Sequence, residues 1–258
     1  MNSKVAFITG ASSGIGLALA EEFLKQGYGV ALMARRIERL NEFAERFSQY
    51  KNKILLCPGD VTQEEALKRS VNSVISRFGR LDVVVANAGI GVTDTFLKLT
   101  ADDFKRQFAT NVDGVVFTCR QTLPELLKTK GCLAIVGSAS GYANVAGDSP
   151  YSMSKAAVRA LADTLYLEQK KIGVHILHIC PGFIKSEIRL KDNQDKLIAG
   201  AKDKIPSFIV MPASTAARKI VKAIRCRRRE LVLTFVAKFA VFVRMKLPRL
   251  YFFLVSKF

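Results

Sequence analysis

The sequence predicts a single α/β domain of the doubly wound kind, with a central parallel sheet of about seven strands and helices on both faces. Three observations carry that prediction. Short apolar, β-branched runs alternate with helix-period segments from the first residues onward. The apolar runs show little polar alternation, as expected of strands covered on both faces. No linker rich in Gly, Ser or Pro and no repeat divides the 258 residues, so one domain is the economical reading.

The expected strands are VAFIT (5–9), GVALMA (29–34), KILLCP (53–58), DVVVAN (82–87), CLAIVG (132–137), VHILHIC (174–180) and LVLTF (231–235). Helical periodicity fills 14–26, 36–48, 63–78, 101–128, 151–170 and 213–225. Residues 1–235 are therefore assigned to the domain and 236–258 to a basic, aromatic-rich tail. VAFITG begins a strand at once, so no leader peptide is expected.

The net charge of +18 is unevenly spread. From Ala216 onward there are twelve Lys or Arg residues against the single acid Glu230, so the basicity belongs mainly to the C-terminal end. Nucleic acid is not an expected partner, because no recognised binding module accompanies the charge. Cys57, Cys119, Cys132, Cys180 and Cys226 are widely spaced, and several lie in apolar runs. They read as buried thiols of a reducing, cytoplasmic compartment. His175 and His178 share one strand with no ligand cluster around them, so no metal is expected.

The first strand runs into Gly10-Ala11-Ser12-Ser13-Gly14-Ile15-Gly16 and then a helix. Glycines at such a turn let the backbone approach a pyrophosphate, whose charge is favoured at the helix N-terminus. The second strand ends at Ala34-Arg35-Arg36, where a site for NAD usually carries an acid. Two guanidiniums in that place suit a 2′-phosphate, which favours NADP(H) over NAD(H). Downstream, SPYSMSK sets Tyr151 and Lys155 at i and i+4, on one face if helical.

Together these motifs resemble the short-chain dehydrogenase/reductase family over about residues 4–225. TGASSGIG matches its cofactor loop, Asn87-Ala88-Gly89 its NAG motif, Asp60-Val61 its adenine-contacting pair and Pro181-Gly182-Phe183-Ile184 its PGxI loop. Ser186 stands where that family often has Thr. The resemblance implies a Rossmann-type fold with Asn111, Ser138, Tyr151 and Lys155 as catalytic residues. Gly10, Ser12, Ser13, Gly14, Ile15, Gly16, Arg35, Arg36, Asp60, Val61, Asn87, Ala88, Gly89, Tyr151, Lys155, Pro181, Gly182, Ile184 and Ser186 would hold the cofactor. In that scheme the Lys155 ammonium and the nicotinamide lower the Tyr151 pKa, Ser138 binds the substrate oxygen, and Asn111 anchors a water that relays protons to Lys155. Ser140 is a rival for Ser138, and Asn111 could instead bond only to backbone. A homodimer or homotetramer through the long fourth and fifth helices is also implied.

Residues 186–211 form a mostly polar flap expected to contain one or two short helices. The tail holds seven of the chain's 23 Phe and Tyr residues, counted from Glu230, but no uncharged run long enough to span a bilayer. Its Phe, Leu and positive charge point to peripheral contact with an anionic membrane. The alternative is packing on its own domain or on another subunit. The functional expectation is an NADP(H)-dependent oxidoreductase interconverting a carbonyl and a secondary alcohol on a lipophilic lipid, steroid or retinoid-like substrate. The alternative is a non-catalytic NADP-binding sensor or scaffold.

Overall fold

The computed structural model describes residues 3–256; Met1, Asn2 and the tail's Lys257 and Phe258 lie outside the described residues. Its centre is a seven-stranded, all-parallel sheet with order β3-β2-β1-β4-β5-β6-β7. The strands are β1 (Val5–Thr9), β2 (Gly29–Ala34), β3 (Ile54–Pro58), β4 (Val83–Ala86), β5 (Cys132–Val136), β6 (His175–Cys180) and β7 (Glu230–Val232). The chain leaves β1 toward β2 and β3, then crosses back to place β4 on the other side of β1. The loops after β1 and β4 therefore diverge and open a crevice at the carboxyl ends of the strands.

Both faces of the sheet are covered. Along β1, Ala6 and Ile8 enter one core with Leu19, Phe23, Leu40 and Ile220, while Val5 and Phe7 enter the other with Leu67, Val71 and Val158. The first core lies under α1 (Gly14–Lys25), α2 (Ile37–Arg46) and α7 (Ala213–Arg225). The second lies under α3 (Glu64–Phe78), α5 (Gly114–Thr129) and α6 (Ser149–Gln169). Period-two pointing of side chains within a wholly apolar strand is what makes both layers possible. Each fully buried Leu, Ile or Phe contributes about 1.5–3 kcal/mol.

Three expected elements differ. The segment 101–128 is not one helix: α4 (Ala101–Phe108), held by a Thr100–Asp103 capping box, passes through a π turn (Ala109–Asp113) into α5. The extra residue in that turn does not disturb apolar periodicity enough to show in sequence. The seventh strand stops at Val232, because Thr234 takes φ +61° and its hydroxyl accepts from the Ala237 N–H. Phe235 thus begins α8 (Phe235–Lys246), which Pro248 separates from α9 (Pro248–Val255). The flap contains no α-helix, only 3₁₀ turns at Glu187–Leu190 and Ser207–Ile209. There the Asp192 carboxylate accepts from the Gln194 and Lys196 N–H groups at 2.9 Å each, offering the backbone an alternative to helix.

The tail packs on the rest of its own chain along one face and is bare on the other. Val243 and Tyr251 bury against Ala143, whereas Phe235, Phe239, Phe242, Phe252 and Phe253 are exposed. No helix among the described residues is long and apolar enough to cross a membrane.

Candidate active site

The glycine loop occupies the mouth of the crevice. Gly10 has φ +64°, and a Cβ there would lie 2.8 Å from Ala88 Cα. At Gly16 a Cβ would lie 2.4 Å from the Gly10 carbonyl oxygen and 2.7 Å from Asn87 Nδ2. The loop after β1, the first turn of α1 and the loop after β4 are thus in contact only because side chains are missing. Gly14 has φ +55° and lies under Ser186. Ser13 is the N-cap of α1 but makes no side-chain capping bond, so its hydroxyl does not cover the helix's first N–H groups. Ile15 packs on the adjoining core. This is a backbone cradle that fits a pyrophosphate.

Asn87 stitches the two loops, donating from Nδ2 to the carbonyls of Thr9 (2.9 Å) and Gly10 (3.2 Å). Thr9 Oγ1 in turn accepts from the N–H groups of Asn87 and Ala88 at 3.0 and 3.1 Å. Val61 packs on Gly114, where a Cβ would come within 2.7 Å of Val61 Cγ2. Asp60 caps the Thr62 N–H at 3.0 Å and lies 3.8 Å from Arg35. Arg36 donates to Ser12 Oγ at 3.1 Å, which puts one guanidinium against the glycine loop. The flap also reaches this corner: Asp195 pairs with Arg35, and Glu187 pairs with Arg36 at 2.8 Å.

On the other side of the crevice, α6 carries Tyr151 and Lys155 on one face, with Lys155 Nζ 5.7 Å from the Tyr151 ring centroid. Ser138, rather than Ser140, is the serine whose hydroxyl acts on Tyr151, while Ser140 acts on Asp148. Lys155 is buried and donates to the Val136 carbonyl at 3.0 Å. Burial lowers its pKa to about 8.

The protein's own groups shift Tyr151 upward. Burial raises the phenol above its usual value and outweighs the opposing influence of Ser138 and the charge of Arg189. The surroundings keep Tyr151 protonated, the form that gives a proton.

Asn111 sits on the π turn, fully buried. Its Oδ1 accepts from the Ile90 N–H at 2.9 Å, while Nδ2 donates to the Ile90 carbonyl and Ser154 Oγ at 3.1 and 3.2 Å. The side chain expected to anchor a water is therefore engaged by neighbouring protein groups. It pins the backbone just after Gly89, where a Cβ would lie 3.2 Å from Asn111 Oδ1 and 3.7 Å from Lys155 Nζ. Pro181 accepts from the Ala139 N–H at 2.9 Å, Gly182 abuts Thr234, and buried Ile184 pairs with Met211.

A family model described as short chain dehydrogenase matches residues 4–197. The chain belongs to the short-chain dehydrogenase family. It is accordingly an oxidoreductase of alcohols and carbonyls that uses a nicotinamide cofactor. It is 36% identical over 241 residues to an 11-beta-hydroxysteroid dehydrogenase-like protein (4A) of Arabidopsis thaliana, covering 92% of this chain and 77% of that one. It is 35% identical over 187 residues to a meso-2,3-butanediol dehydrogenase of Serratia marcescens, covering 72% and 74%. Among solved structures it is similar to an alcohol dehydrogenase of Thermococcus sibiricus complexed with 5-hydroxy-NADP. That match has TM-score 0.79 and 29% identity, covering 91% and 97% of the two chains.

Within this short-chain dehydrogenase, sequence reasoning missed two polar groups, one of which acts on Tyr151. Arg189, in the flap, donates to Asp203 at 3.0 Å and to the Ile184 carbonyl at 3.0 Å, and its charge bears on Tyr151. A lone basic residue in a polar segment gave no signal. The second group joins β6 to β7: His178 Nδ1 lies 3.2 Å from Glu230 Oε1 and 3.4 Å from Cys180 Sγ, and the Tyr142 hydroxyl bonds Glu230. The hydrogen bond from His178 holds the Glu230 carboxyl down at about 2. These donors and acceptors pair with one another, which accounts for the cluster without an ion.

Proposed function

We propose that the chain interconverts a carbonyl and a secondary alcohol with NADP(H), using Tyr151 as the acid and base. The observation that carries this reading is the convergence of Ser138 and the Tyr151 phenol, with Lys155 one turn along α6 and its Nζ toward Gly89. The residues fit a dinucleotide: the loop Gly10–Gly16 for the pyrophosphate, Arg35 and Arg36 for the 2′-phosphate, Asp60 and Val61 for adenine. Asn87–Gly89, Lys155 and Pro181–Ser186 would hold the nicotinamide end. When bound, the nicotinamide supplies or takes up hydride at the carbonyl carbon.

Ser138 donates to the substrate oxygen and fixes its distance from the Tyr151 hydroxyl. Tyr151 gives its proton to that oxygen as negative charge develops there, or removes it in the reverse direction. Lys155 keeps a positive charge one turn away, and Asn111 holds the Ile90 backbone so that Gly89 and Lys155 stay in register.

Lys155 sets a pH limit. With its pKa lowered to about 8, the ammonium is present below that pH and is lost as pH rises through it. Carbonyl reduction should therefore show a kcat/KM that is level below about pH 8 and falls up to tenfold per unit above it. A profile still rising well above that pH would exclude a charged Lys155 from the reaction.

The Arg36–Ser12 contact supports the NADP(H) reading, in which a 2′-phosphate would take the places of Glu187 and Asp195 at the two guanidiniums. A panel of lipophilic ketones and aldehydes tested with NADPH and NADH should give turnover, with kcat/KM at least about tenfold higher for NADPH. NADH preference would sink the NADP assignment. Tight NADPH binding with no turnover would favour the sensor reading.

The lipophilic substrate class rests on the tail. Phe235, Phe239 and Phe242 project from α8 at i, i+4 and i+7, and exposed Phe252, Phe253 and Leu254 continue the surface on α9. Lys238, Lys246 and Arg249 accompany them, and residues 236–256 contain no acid. Arg244 instead lies over the Phe252 ring, so the basic residues do not share one face. Aromatic side chains with exclusively positive charge fit an anionic bilayer surface. The protein should float with vesicles containing phosphatidylserine and not with neutral ones, and Phe239→Ser/Phe242→Ser should abolish flotation. Equal recovery with both vesicle types, or with the variant, removes this reading.

A second copy is proposed to seat on α5 and α6, where Val116, Leu123, Leu127, Leu161 and Leu165 line an apolar depression of 230 Å³. Sedimentation of the Leu161→Glu variant should give a monomer where wild type gives a dimer or tetramer. A monomeric wild type refutes this.

A further inference from the structure

The tail lies outside the matched residues 4–197, yet it is wedged between the two loops that flank Tyr151. On one side, Gly182 admits the start of α8 so closely that a Cβ would lie 2.3 Å from Thr234 Oγ1 and 2.8 Å from Ala237 Cβ. On the other, α9 reaches the loop between β5 and α6. Tyr251 is 5% exposed while Leu250, Phe252, Phe253 and Leu254 are all open to solvent. Its ring packs with Val243 against Ala143.

Its hydroxyl donates to the Asn144 carbonyl at 2.7 Å. Asn144 Nδ2 donates to the Ser140 carbonyl at 3.0 Å, and the Ser140 N–H donates to Ser138 Oγ at 3.1 Å. Three hydrogen bonds, linked through the bodies of Asn144 and Ser140, thus connect the tail to the serine beside Tyr151.

We propose that Tyr251 is a positioning residue for Ser138, so that the tail forms part of the reaction site. A hydroxyl has one proton to donate and two lone pairs. The Ser140 N–H occupies one lone pair and turns the Ser138 proton toward the crevice, where the Tyr151 hydroxyl lies. That N–H is fixed only as well as the Ser140–Asn144 turn, and Tyr251 anchors this turn through a backbone carbonyl. Without the Tyr251 hydroxyl the turn keeps its apolar packing but loses its fixed depth. Misplacement by a fraction of an ångström at Ser138 slows the chemical step while leaving the cofactor cradle on β1 and β4 untouched. This inference rests on the reading of Ser138 and Tyr151 given above.

The test uses Tyr251→Phe and Asn144→Ala, singly and together, in the full chain with a water-soluble carbonyl and no vesicles. Tyr251→Phe should lower kcat about tenfold, as loss of precise orientation does, with unchanged NADPH affinity and thermal midpoint. The isotope effect on kcat with 4-deuterated NADPH should rise, because hydride transfer becomes more rate-limiting; mere loss of folded enzyme would leave it unchanged. Asn144→Ala should behave alike, and the double variant should be no worse than either single one. Amide hydrogen exchange, which needs no turnover, should accelerate at residues 140–144 in Tyr251→Phe and not in α6. Wild-type kcat in Tyr251→Phe, an unchanged isotope effect, or unchanged exchange at 140–144 overturns the proposal. Faster exchange in a protein whose wild type reduces no carbonyl would uphold the tether and refute the functional reading instead.

Discussion

Tyr151→Phe should lower kcat for carbonyl reduction by about 10³-fold, a rise of about 4 kcal/mol in the barrier, while NADPH still binds. Phenylalanine keeps the ring that lies 5.7 Å from Lys155 Nζ and removes only the hydroxyl on which Ser138 acts. Nothing nearby replaces it. The Ser138 hydroxyl belongs to an alcohol far weaker as an acid, and Lys155 Nζ is engaged at the Val136 carbonyl. Single-turnover kinetics with pre-bound NADPH check this directly. A loss below about tenfold would mean the proton comes from solvent or another group.

Gly16→Ala should be the most damaging change in the cofactor cradle. The added Cβ would lie 2.4 Å from a backbone oxygen, that of Gly10, and 2.7 Å from the Asn87 amide. Neither can swing aside, because Asn87 Nδ2 already holds Thr9 and Gly10 in the loop after β1. Either the turn or the first turn of α1 must shift, at a cost of about 1–3 kcal/mol in stability. NADPH affinity should fall by at least about tenfold, since the pyrophosphate loses a backbone set to receive it. Calorimetric titration and a thermal melt of the same variant check both effects. An alanine that leaves both unchanged would show that the close contact is not maintained in solution.

Much of this was legible in sequence because it depends on local pattern. Apolar runs such as VAFIT and CLAIV show buried parallel strands without any tertiary knowledge, and the glycine loop marks the crevice by its place between strand and helix. Tyr151 and Lys155 declare their shared face through i, i+4 spacing. Features set by competition among distant groups were not legible. Asn111 turns into the core because a π turn interrupts α4 and α5, and no periodicity records one extra residue. The burial that raises Tyr151 and lowers Lys155 is a property of the packed crevice, not of YSMSK. The flap looked helical by composition, but Asp192 captures backbone N–H groups that a helix needs. In the tail, Tyr251 resembles its aromatic neighbours in sequence; only Ala143 and the Asn144 carbonyl distinguish it.

The central claim is that this chain moves hydride between NADPH and a carbonyl with Tyr151 as proton donor. The most direct measurement is mass spectrometry of the alcohol formed with NADPH deuterated at the nicotinamide C4. Wild type should place one deuterium on the carbinol carbon, and Tyr151→Phe should form almost no product in the same time. An unlabelled product, or equal label from both proteins, would contradict the account.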